Sequence, residues 1–578
     1  MLKKELTFLF AILVVGAFFR FYLLPQIPPG LFIDEAMNGN NAVESLETGD
    51  FKLFYPENNG REGLFINLQA VALWLLGLEP WVLRLVSAIF GMLTILGIYL
   101  LTKELFKNYE LGIRNRENKN KNHNSLFMIP DSTIVALLSA FFLATSYWHI
   151  NFSRIGFRAI LVPFFTTFGL YWLIKGLRTG KFSSIVCAGI FIGLGFHTYP
   201  AFRLMLFVIA LPLIFAFTRW MRKSDAPEKP CTPCAIALFI LTVLLVVSPL
   251  VLYFVKNPSD FFARSSQVSV FASERPVYEF AKSNLLTFQM FFWKGDCNPR
   301  HNYDCQPELN PMVSFFFLAG IIVAFRVLIR NQESGIKNQG GGERKNPDSS
   351  FPIPDSKKVY TLLLAWLFFM SLPATLTREG LPHALRAIGM IPPVMILSAL
   401  GATTAVKKAF AALEKYHSDE RFKNARRQIE RIRRETAILF FLILIFIPIY
   451  TYQAYFLLFP THPNTVPAFS ADLENMGRYL ASLPSETEKF VIVNHSDVLI
   501  RGIPAAAQVP MFFTKTFSET ERTIKKMHYV LSAEEIAFGQ NEKVVIIPMD
   551  ASVRRDITNK FPGMNLKPKD AFISFENF

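Results

Sequence analysis

Two adjacent carboxylates, Asp34 and Glu35, are the side chains in this sequence with the clearest chemical potential. They come just after Pro28-Pro29-Gly30, beyond an apolar segment near the N-terminus that is long enough to cross a bilayer. A carboxylate near lipid is costly unless it meets water, a cation or a substrate. We therefore interpret the pair as functional. The alternative is ordinary charge on a solvated loop.

Arginine and histidine recur in three short polar turns between apolar segments, all predicted to lie on the same outer side of the membrane. These turns supply His149, Arg154, Arg158, His197, Tyr199, Arg203, His383 and Arg386. Outer arginines run against the usual enrichment of positive charge in inner loops. The planar fork of guanidinium donors suits phosphate, so we predict an anionic ligand. For Arg158 the alternative is a contact with lipid headgroups.

A predicted outer loop at 256–310 ends in a run dense in hydrogen-bond donors and acceptors. Its polar side chains include Asp296, Arg300 and His301. Such a loop suits a sugar or peptide acceptor. The alternative is a solvated loop closed by a disulfide between Cys297 and Cys305, if it faces an oxidising compartment. The other close pair, Cys231 and Cys234, is weak evidence for zinc because no second ligand pair stands nearby.

The elements that must position these residues are membrane helices. Of 578 residues, 51% are hydrophobic and 59 are phenylalanine. We predict a mainly α-helical polytopic membrane protein with about eleven transmembrane helices. They cover 6–24, 82–102, 132–148, 159–175, 183–198, 202–219, 235–255, 311–329, 359–377, 388–405 and 437–458. The first is interpreted as an uncleaved span because no small-residue cleavage site follows it.

The net charge of +15 is distributed over alternate loops rather than gathered in one patch. This pattern follows the positive-inside rule and argues against nucleic acid as a partner. It predicts an inner N-terminus, an outer C-terminus and a multi-pass protein of the cytoplasmic membrane. Residues 64–77 would extend only about 21 Å as a helix, too short to span. We therefore predict an interfacial helix there, and a second short helix at 36–47.

The chain divides into a transmembrane domain at 1–458, with a first outer loop at 25–81, and a C-terminal domain at 459–578. The C-terminal domain is predicted to be a small α/β domain outside the membrane. Its runs at 490–493 and 544–547 indicate buried strands. Two inner stretches rich in Asn, Lys and Ser, 114–131 and 331–358, are predicted to be disordered insertions without a catalytic role.

The order of elements resembles the GT-C membrane glycosyltransferases, in the branch of protein O-mannosyltransferases and bacterial aminoarabinose transferases. The resemblance rests on the Asp-Glu pair after the first span, the interfacial helix, the run WVLRLVSAIFG at 81–91 and the basic inner loop that follows. It covers about 1–405. A Trp-Trp-Asp signature of oligosaccharyltransferase type is missing from the C-terminal sequence, which weakens a peptide-asparagine acceptor.

The resemblance implies that Asp34 is the catalytic carboxylate and that outer arginines hold a lipid phosphate. The candidates are Arg154, Arg203 and Arg386, with Arg158 beside them. Arg61 stands where many members carry Lys-Pro, so its phosphate role departs from the family pattern. His149, His197, Tyr199, His383, Asp296, Arg300 and His301 are candidates for the acceptor side.

The implied reaction transfers a sugar from a polyprenyl-phosphate donor to an acceptor hydroxyl of a lipid, glycan or protein. Asp34 would act as general base and the anomeric centre would invert. If the backbone is extended, Asp34 and Glu35 point to opposite sides, which argues against a two-carboxylate glycosidase pair. Glu35 would orient the acceptor or help to bind a divalent cation; no other cofactor is predicted. The alternative function is a transporter or flippase of lipid-linked sugars, disfavoured because the predicted spans are almost free of midplane charge.

Overall fold

The structure is a computed structural model. It describes residues 2–117, 131–221, 231–262, 270–329, 355–378, 380–418, 424–494 and 498–578. The two predicted insertions fall mostly in the gaps 118–130 and 330–354, so the prediction of disorder lies outside the described residues.

The helices dominate the described chain. Those of the membrane region are α1 (Leu2–Phe21), α2 (Ile33–Thr48), α3 (Gly63–Leu76), α4 (Pro80–Glu117), α5 (Asp131–Ala144), α6 (Tyr147–Ser153), α7 (Leu161–Thr179), α8 (Phe182–Gly195), α9 (Met205–Met221), α10 (Thr232–Lys256), α11 (Pro258–Phe262), α12 (Pro276–Gln289), α13 (Pro311–Ile329), α14 (Asp355–Thr375), α15 (Ile391–Ser418) and α16 (Arg426–Tyr452). The C-terminal region adds α17 (Thr465–Ala468), α18 (Ala471–Ser482), α19 (Gln508–Thr514), α20 (Glu519–Ile524) and α21 (Arg554–Lys560).

The strands are short and lie mainly in the C-terminal region. They are β1 (Phe54–Tyr55), β2 (Arg61–Glu62), β3 (Glu488–Ile492), β4 (Leu499–Ile500), β5 (Ile503–Pro504), β6 (Met527–Val530), β7 (Val544–Pro548), β8 (Asn565–Pro568) and β9 (Ile573–Glu576). Strands β1 and β2 form a small antiparallel hairpin in the first outer loop.

Within the described residues, eight helices are long and apolar enough to cross a membrane, which makes this a multi-pass membrane protein. The pair α5 and α6 would make a ninth span, although it is bent by 58°. The other two predicted spans are also helices. Helix α1 carries charges at both ends, and α8 has only 14 residues. The count of eleven and the inside–outside topology therefore remain predictions.

The membrane helices pack closely where small residues meet. Helices α13 and α15 lie against each other. A side chain added at Gly320 would collide with the carbonyl of Leu397, and one at Gly401 with the carbonyl of Phe316. Facing glycines of this kind allow helix backbones to approach in a membrane, where van der Waals contact supplies much of the association energy.

The helix predicted at 64–77 is present as α3 (Gly63–Leu76), and its position in the membrane interface stays a prediction. Phe65 and Ile66 on one face are buried, whereas Trp74 is 73% exposed and Leu75 is 63% exposed. An apolar surface on one side of a short helix fits a position in the plane of the lipid–water interface. The second predicted short helix is also present, as α2, and it is longer than the predicted 36–47.

The C-terminal region contains a five-stranded sheet in the order β6-β3-β7-β9-β8. Strand β3 is parallel to β6 and β7, and β9 is antiparallel to β7 and β8. The strands predicted at 490–493 and 544–547 are thus confirmed as β3 and β7, which are adjacent in this sheet. Side chains such as Val491 and Val545 pack with Ile66 and Leu83 in one apolar cluster. The C-terminal region therefore packs directly against residues of the segment 25–81 and of α4.

Arg501 stabilises this contact through two ion pairs. Its guanidinium lies 2.6 Å from a carboxylate oxygen of Glu44 and 2.7 Å from one of Glu57, over the ring of Phe517. Burial raises the pKa of Glu57, but the hydrogen bond and charge of Arg501 outweigh it and lower that pKa overall. The interaction joins the C-terminal domain to both α2 and the turn before β2.

We expect Arg501→Ala to loosen the docked C-terminal domain without unfolding it. Because the pair is partly exposed, the loss should be about 1 kcal/mol, or a roughly five-fold larger population of the locally open state. Hydrogen exchange of Gln508–Thr514, which packs on α2, would measure it. Arg555→Ala on the exposed surface of α21 is the matched control. Equal exchange in both variants would contradict the fastening role.

Candidate active site

The two carboxylates lie in the first turn of α2, immediately after Pro28-Pro29-Gly30. They are therefore on a helix, not on the extended backbone considered from the sequence, and that part of the prediction is wrong. Successive helical side chains still point in different directions, about 100° apart at 3.6 residues per turn. The two groups consequently enter different surroundings.

Glu35 is fully buried, and its oxygens are occupied. Arg84 donates to it from Nε and Nη2, each at 3.0 Å. The backbone N–H groups of Gly156 and Phe32 donate at 2.7 and 3.2 Å. Arg84 also donates to the carbonyls of Pro28 and Gly30. The ion pair thus ties the first outer loop, α4 and the turn after α6 together.

Asp34, in contrast, is only half-buried. Asn58 donates to its Oδ1 at 3.0 Å from the turn before β2. Arg61 and Arg300 are close enough to interact electrostatically with Asp34. Burial lowers the pKa of both arginines, and the negative charge of Asp34 partly opposes this effect. Asp34 is therefore a partly accessible carboxylate in a cationic setting.

Arg61 is buried and holds α2 in place. It donates to Asn38 at 2.6 Å and to Asn41, which lie on one face of that helix. Burial and the nearby charge of Arg158 lower its pKa to about 10, still above neutral pH. The guanidinium remains charged, with its bonds directed to side chains of the loop.

Glu62 forms ion pairs with two of the predicted phosphate-binding arginines. Arg158 approaches it at 3.1 Å and Arg203 at 3.9 Å. Arg158 also lies over the ring of Tyr199, 5.5 Å from its centre. Arg203 is 31% exposed. The structure brings these three predicted residues together at the outer end of α9.

Arg386 lies in the turn at 384–387 that precedes α15. Its Nη1 donates to Thr377 at 2.7 Å, just after α14. Helix α14 packs against the 3-10 turn Pro200–Leu204, which carries Arg203. The side chain of Arg386 is thus bonded to the residues that follow α14, the helix that packs against the turn carrying Arg203.

Arg154 has different surroundings. It is fully buried and donates to the carbonyls of Phe19 at 3.2 Å and Ile27 at 2.9 Å. Its guanidinium lies over the rings of Tyr455 and Phe456, 5.3 and 5.1 Å from their centres. The structure thus does not bring Arg154 to the surface that carries the other predicted arginines.

The histidines predicted on the same turns are also internal. His149 is fully buried, and Arg20 contacts its Nδ1 at 2.8 Å. His197 contacts the carbonyl of Val246 at 3.0 Å through Nε2. Both rings connect helices. Neither lies among the residues of the outer cavities described next.

The remaining predicted residues surround a cavity of about 680 Å³ between the long outer loop and the start of the C-terminal domain. Its lining includes Asp296, Arg300, His301, His383, Asn464 and Pro467. A second cavity of about 440 Å³ shares Arg300 and Pro467 and reaches Ile33, next to Asp34. Volumes of this size suit small ligands. Arg300 lies 4.2 Å from the centre of the Phe32 ring.

Cys297 and Cys305 form a disulfide that closes the segment containing His301. The disulfide is therefore present, but Asp296 and His301 are buried, so the segment is not the solvated loop of the alternative. Cys231 and Cys234 are likewise joined, so the weak zinc motif is a short disulfide in this structure.

Sequence reasoning gave no role to Arg84, Arg20, Asn58 or Glu62. The available signal was strongest for Arg84, because an arginine inside an apolar helical run needs a partner. That partner, Glu35, stands 49 positions earlier. Arg20, near the end of the first span, could have been flagged for the same reason.

No family model and no curated protein sequence matches this chain. Solved structures do. ArnT from Cupriavidus metallidurans bound to undecaprenyl phosphate matches with a TM-score of 0.54 at 12% identity, over 99% of this chain and 98% of that one. Its apo state gives 0.52 at 13%, over 99% and 97%. An Archaeoglobus fulgidus oligosaccharyltransferase gives 0.42 at 13%, over 99% and 73%.

The chain therefore has the same fold as ArnT, in agreement with the resemblance that the order of its elements predicts. ArnT, an aminoarabinose transferase, shares that fold over nearly the full length of both chains.

Proposed function

We propose that this protein transfers a sugar from a polyprenyl-phosphate donor to an acceptor hydroxyl. The observation that carries the proposal is the contrast between two neighbouring carboxylates. Glu35 is held in a buried ion pair with Arg84, whereas Asp34 is half-buried and interacts electrostatically with Arg61 and with Arg300, which lines two cavities. The fold of ArnT, whose structure holds undecaprenyl phosphate, supports the donor class.

In the proposed reaction the acceptor oxygen attacks the anomeric carbon while the bond from that carbon to the phosphate oxygen breaks. Asp34 accepts the acceptor's proton, which requires hydrogen-bond reach. The donor phosphodiester leaves as a phosphate monoester, which needs cationic stabilisation rather than a proton donor. A single in-line displacement inverts the anomeric centre. With Glu35 bound to Arg84, only Asp34 of this pair is available as a base. We assign Glu35 a positioning role.

Arg158, Arg203 and Arg386 are the proposed phosphate ligands. Arg158 and Arg203 share Glu62, and Arg386 donates to Thr377, just after the helix α14 that packs against the turn carrying Arg203. A guanidinium keeps its charge and offers a planar pair of donors to phosphate oxygens. We assign Arg154 and Arg61 to positioning, since both are buried against carbonyls or amides.

The acceptor is proposed to enter the two adjoining cavities. Arg300 borders both of them and lies near Asp34, so it would place an acceptor between the long outer loop and α2. The ring of Tyr199 would hold the Arg158 guanidinium in place through a cation–π contact. His149 and His197 belong to the packing of the helices. The site and the C-terminal domain would face the extracytoplasmic side, in keeping with the basic inner loops.

The proposal is tested by reconstituting the purified chain in liposomes with a sugar-linked polyprenyl phosphate. We expect sugar to reach a hydroxyl acceptor and free polyprenyl phosphate to appear in equal amounts. Movement of the labelled donor between leaflets is followed in parallel. Donor movement without sugar transfer would support the transporter instead.

Loss of a phosphate-binding arginine should weaken donor binding whatever the sugar. For Arg203→Ala we expect roughly 1.5–3 kcal/mol, the worth of a charge-assisted hydrogen bond, or about 10–100-fold in Kd. Arg203→Lys should recover part of the loss, because lysine keeps the charge but not the fork. Competition by bare polyprenyl phosphate measures the effect.

Arg555→Ala on the C-terminal domain is the matched control and should bind donor normally. A defect of Arg203→Ala that appeared with only one sugar and spared bare polyprenyl phosphate would place Arg203 at the sugar instead.

A further inference from the structure

Three side chains in the larger outer cavity have the composition of a metal site. Asp296, His301 and His383 each offer one ligand atom, and the three atoms lie within 4.8 Å of one another. His301 Nδ1 is 2.7 Å and His383 Nδ1 is 3.9 Å from the same oxygen, Asp296 Oδ2. The two imidazole rings are 4.9 Å apart between centres.

The backbone holds these groups from two separate segments. Ala384 N–H donates to Asp296 Oδ2 at 2.8 Å, and Asn298 N–H donates to Oδ1 at 2.8 Å. Asn151 on α6 donates to the carbonyl of His301 at 2.7 Å. The disulfide from Cys297 to Cys305 closes the chain around His301. A carboxylate fixed on both oxygens beside two histidines is preorganised for a cation.

The ligand types distinguish between metals. Two imidazoles and one carboxylate suit zinc and other divalent transition metals, whereas magnesium and calcium prefer oxygen ligands throughout. Zinc bonds of 2.0–2.2 Å place tetrahedral ligand atoms about 3.3 Å apart, so the three need to move by only about 1 Å. The present bond from Arg386 N–H to His383 Nδ1 is 3.4 Å long and easily replaced.

We propose that Asp296, His301 and His383 bind one Zn²⁺ ion, with the fourth coordination position open to the cavity of about 680 Å³. Three protein ligands with an open position are the arrangement in which zinc can also accept an oxygen from another molecule. The site is separate from Asp34 and Glu35. It joins the long outer loop to the turn that precedes α15.

The test uses the purified full chain in detergent, with its affinity tag removed and its metals stripped by a chelator. Zn²⁺ alone is titrated against a coloured indicator, and bound metal is counted by mass spectrometry. We expect one equivalent at low-micromolar or tighter affinity. Co²⁺ in place of zinc should give the visible absorption of a tetrahedral site. Asp296→Asn, His301→Gln and His383→Gln should each weaken binding by at least ~10-fold, as loss of even an outer partner does.

His528→Gln is the control, because His528 is an exposed histidine of the C-terminal domain paired with Glu488. Asp296→Asn guards against misfolding, since the amide oxygen can still accept from Ala384 N–H; its elution on size exclusion should match the parent chain. Zinc that binds equally to all variants would be adventitious and would overturn the proposal. Failure of the parent chain to retain one equivalent would do the same.

Discussion

Asp34→Asn is expected to lower sugar transfer by ~10²–10⁴-fold, the usual contribution of a general base. The change keeps the volume of the side chain and its hydrogen bond from Asn58, but an amide cannot take up the acceptor's proton. Turnover of a polyprenyl-phosphate donor by the purified variant measures the effect. Binding of bare polyprenyl phosphate should remain within a few-fold of the parent chain, because the phosphate contacts are made by other residues.

The matched control is Asp50→Asn, which removes an exposed carboxylate from the same outer loop. It should leave turnover unchanged. Near-normal turnover by Asp34→Asn would exclude Asp34 as the base and move attention to the carboxylates around the larger cavity.

Glu35→Gln is expected to destabilise the protein strongly. It leaves the buried guanidinium of Arg84 without its partner, and breaking a buried ion pair in this way typically costs about 3–5 kcal/mol. The backbone N–H groups of Phe32 and Gly156 lose a charged acceptor as well. Unfolding in detergent, followed by loss of helical circular dichroism, measures the change.

The double variant Glu35→Gln with Arg84→Met separates positioning from chemistry. Since the two residues contact each other, its loss of stability should be smaller than the sum of the two single losses. A Glu35→Gln protein with unchanged stability but no turnover would contradict the positioning role and make Glu35 a catalytic group.

Local patterns in the sequence were sufficient for many of the elements. The apolar runs predict the membrane helices, and the short run at 64–77 predicts α3 because its length falls short of a bilayer. The runs at 490–493 and 544–547 predict the central strands β3 and β7, since buried strands are continuous in apolar residues. The carboxylates in the first outer loop were also identifiable as candidates, because a charged group close to lipid is costly unless it meets water, a cation or a substrate.

Contacts between distant segments were not predictable in this way. Whether Asp34 or Glu35 is accessible depends on Arg84, Gly156 and the helical start of α2, which bring three separate stretches together. Arg154 satisfied the same sequence criterion as Arg203, yet the carbonyls of the first span and its following turn surround it. Position at a helix end does not reveal whether a guanidinium meets backbone or solvent.

The linker that leads into the C-terminal region packs against the first outer loop. The carbonyl of Phe469 and the backbone of Ala471 lie against Gly30, where any side chain would collide with them. The ring of Phe469 also contacts the guanidinium of Arg84. A segment that is synthesised late is thus packed against a loop that is synthesised much earlier. The packing around Gly30 and Arg84 therefore cannot form until the linker has been synthesised, and a protein truncated before the linker would lack it.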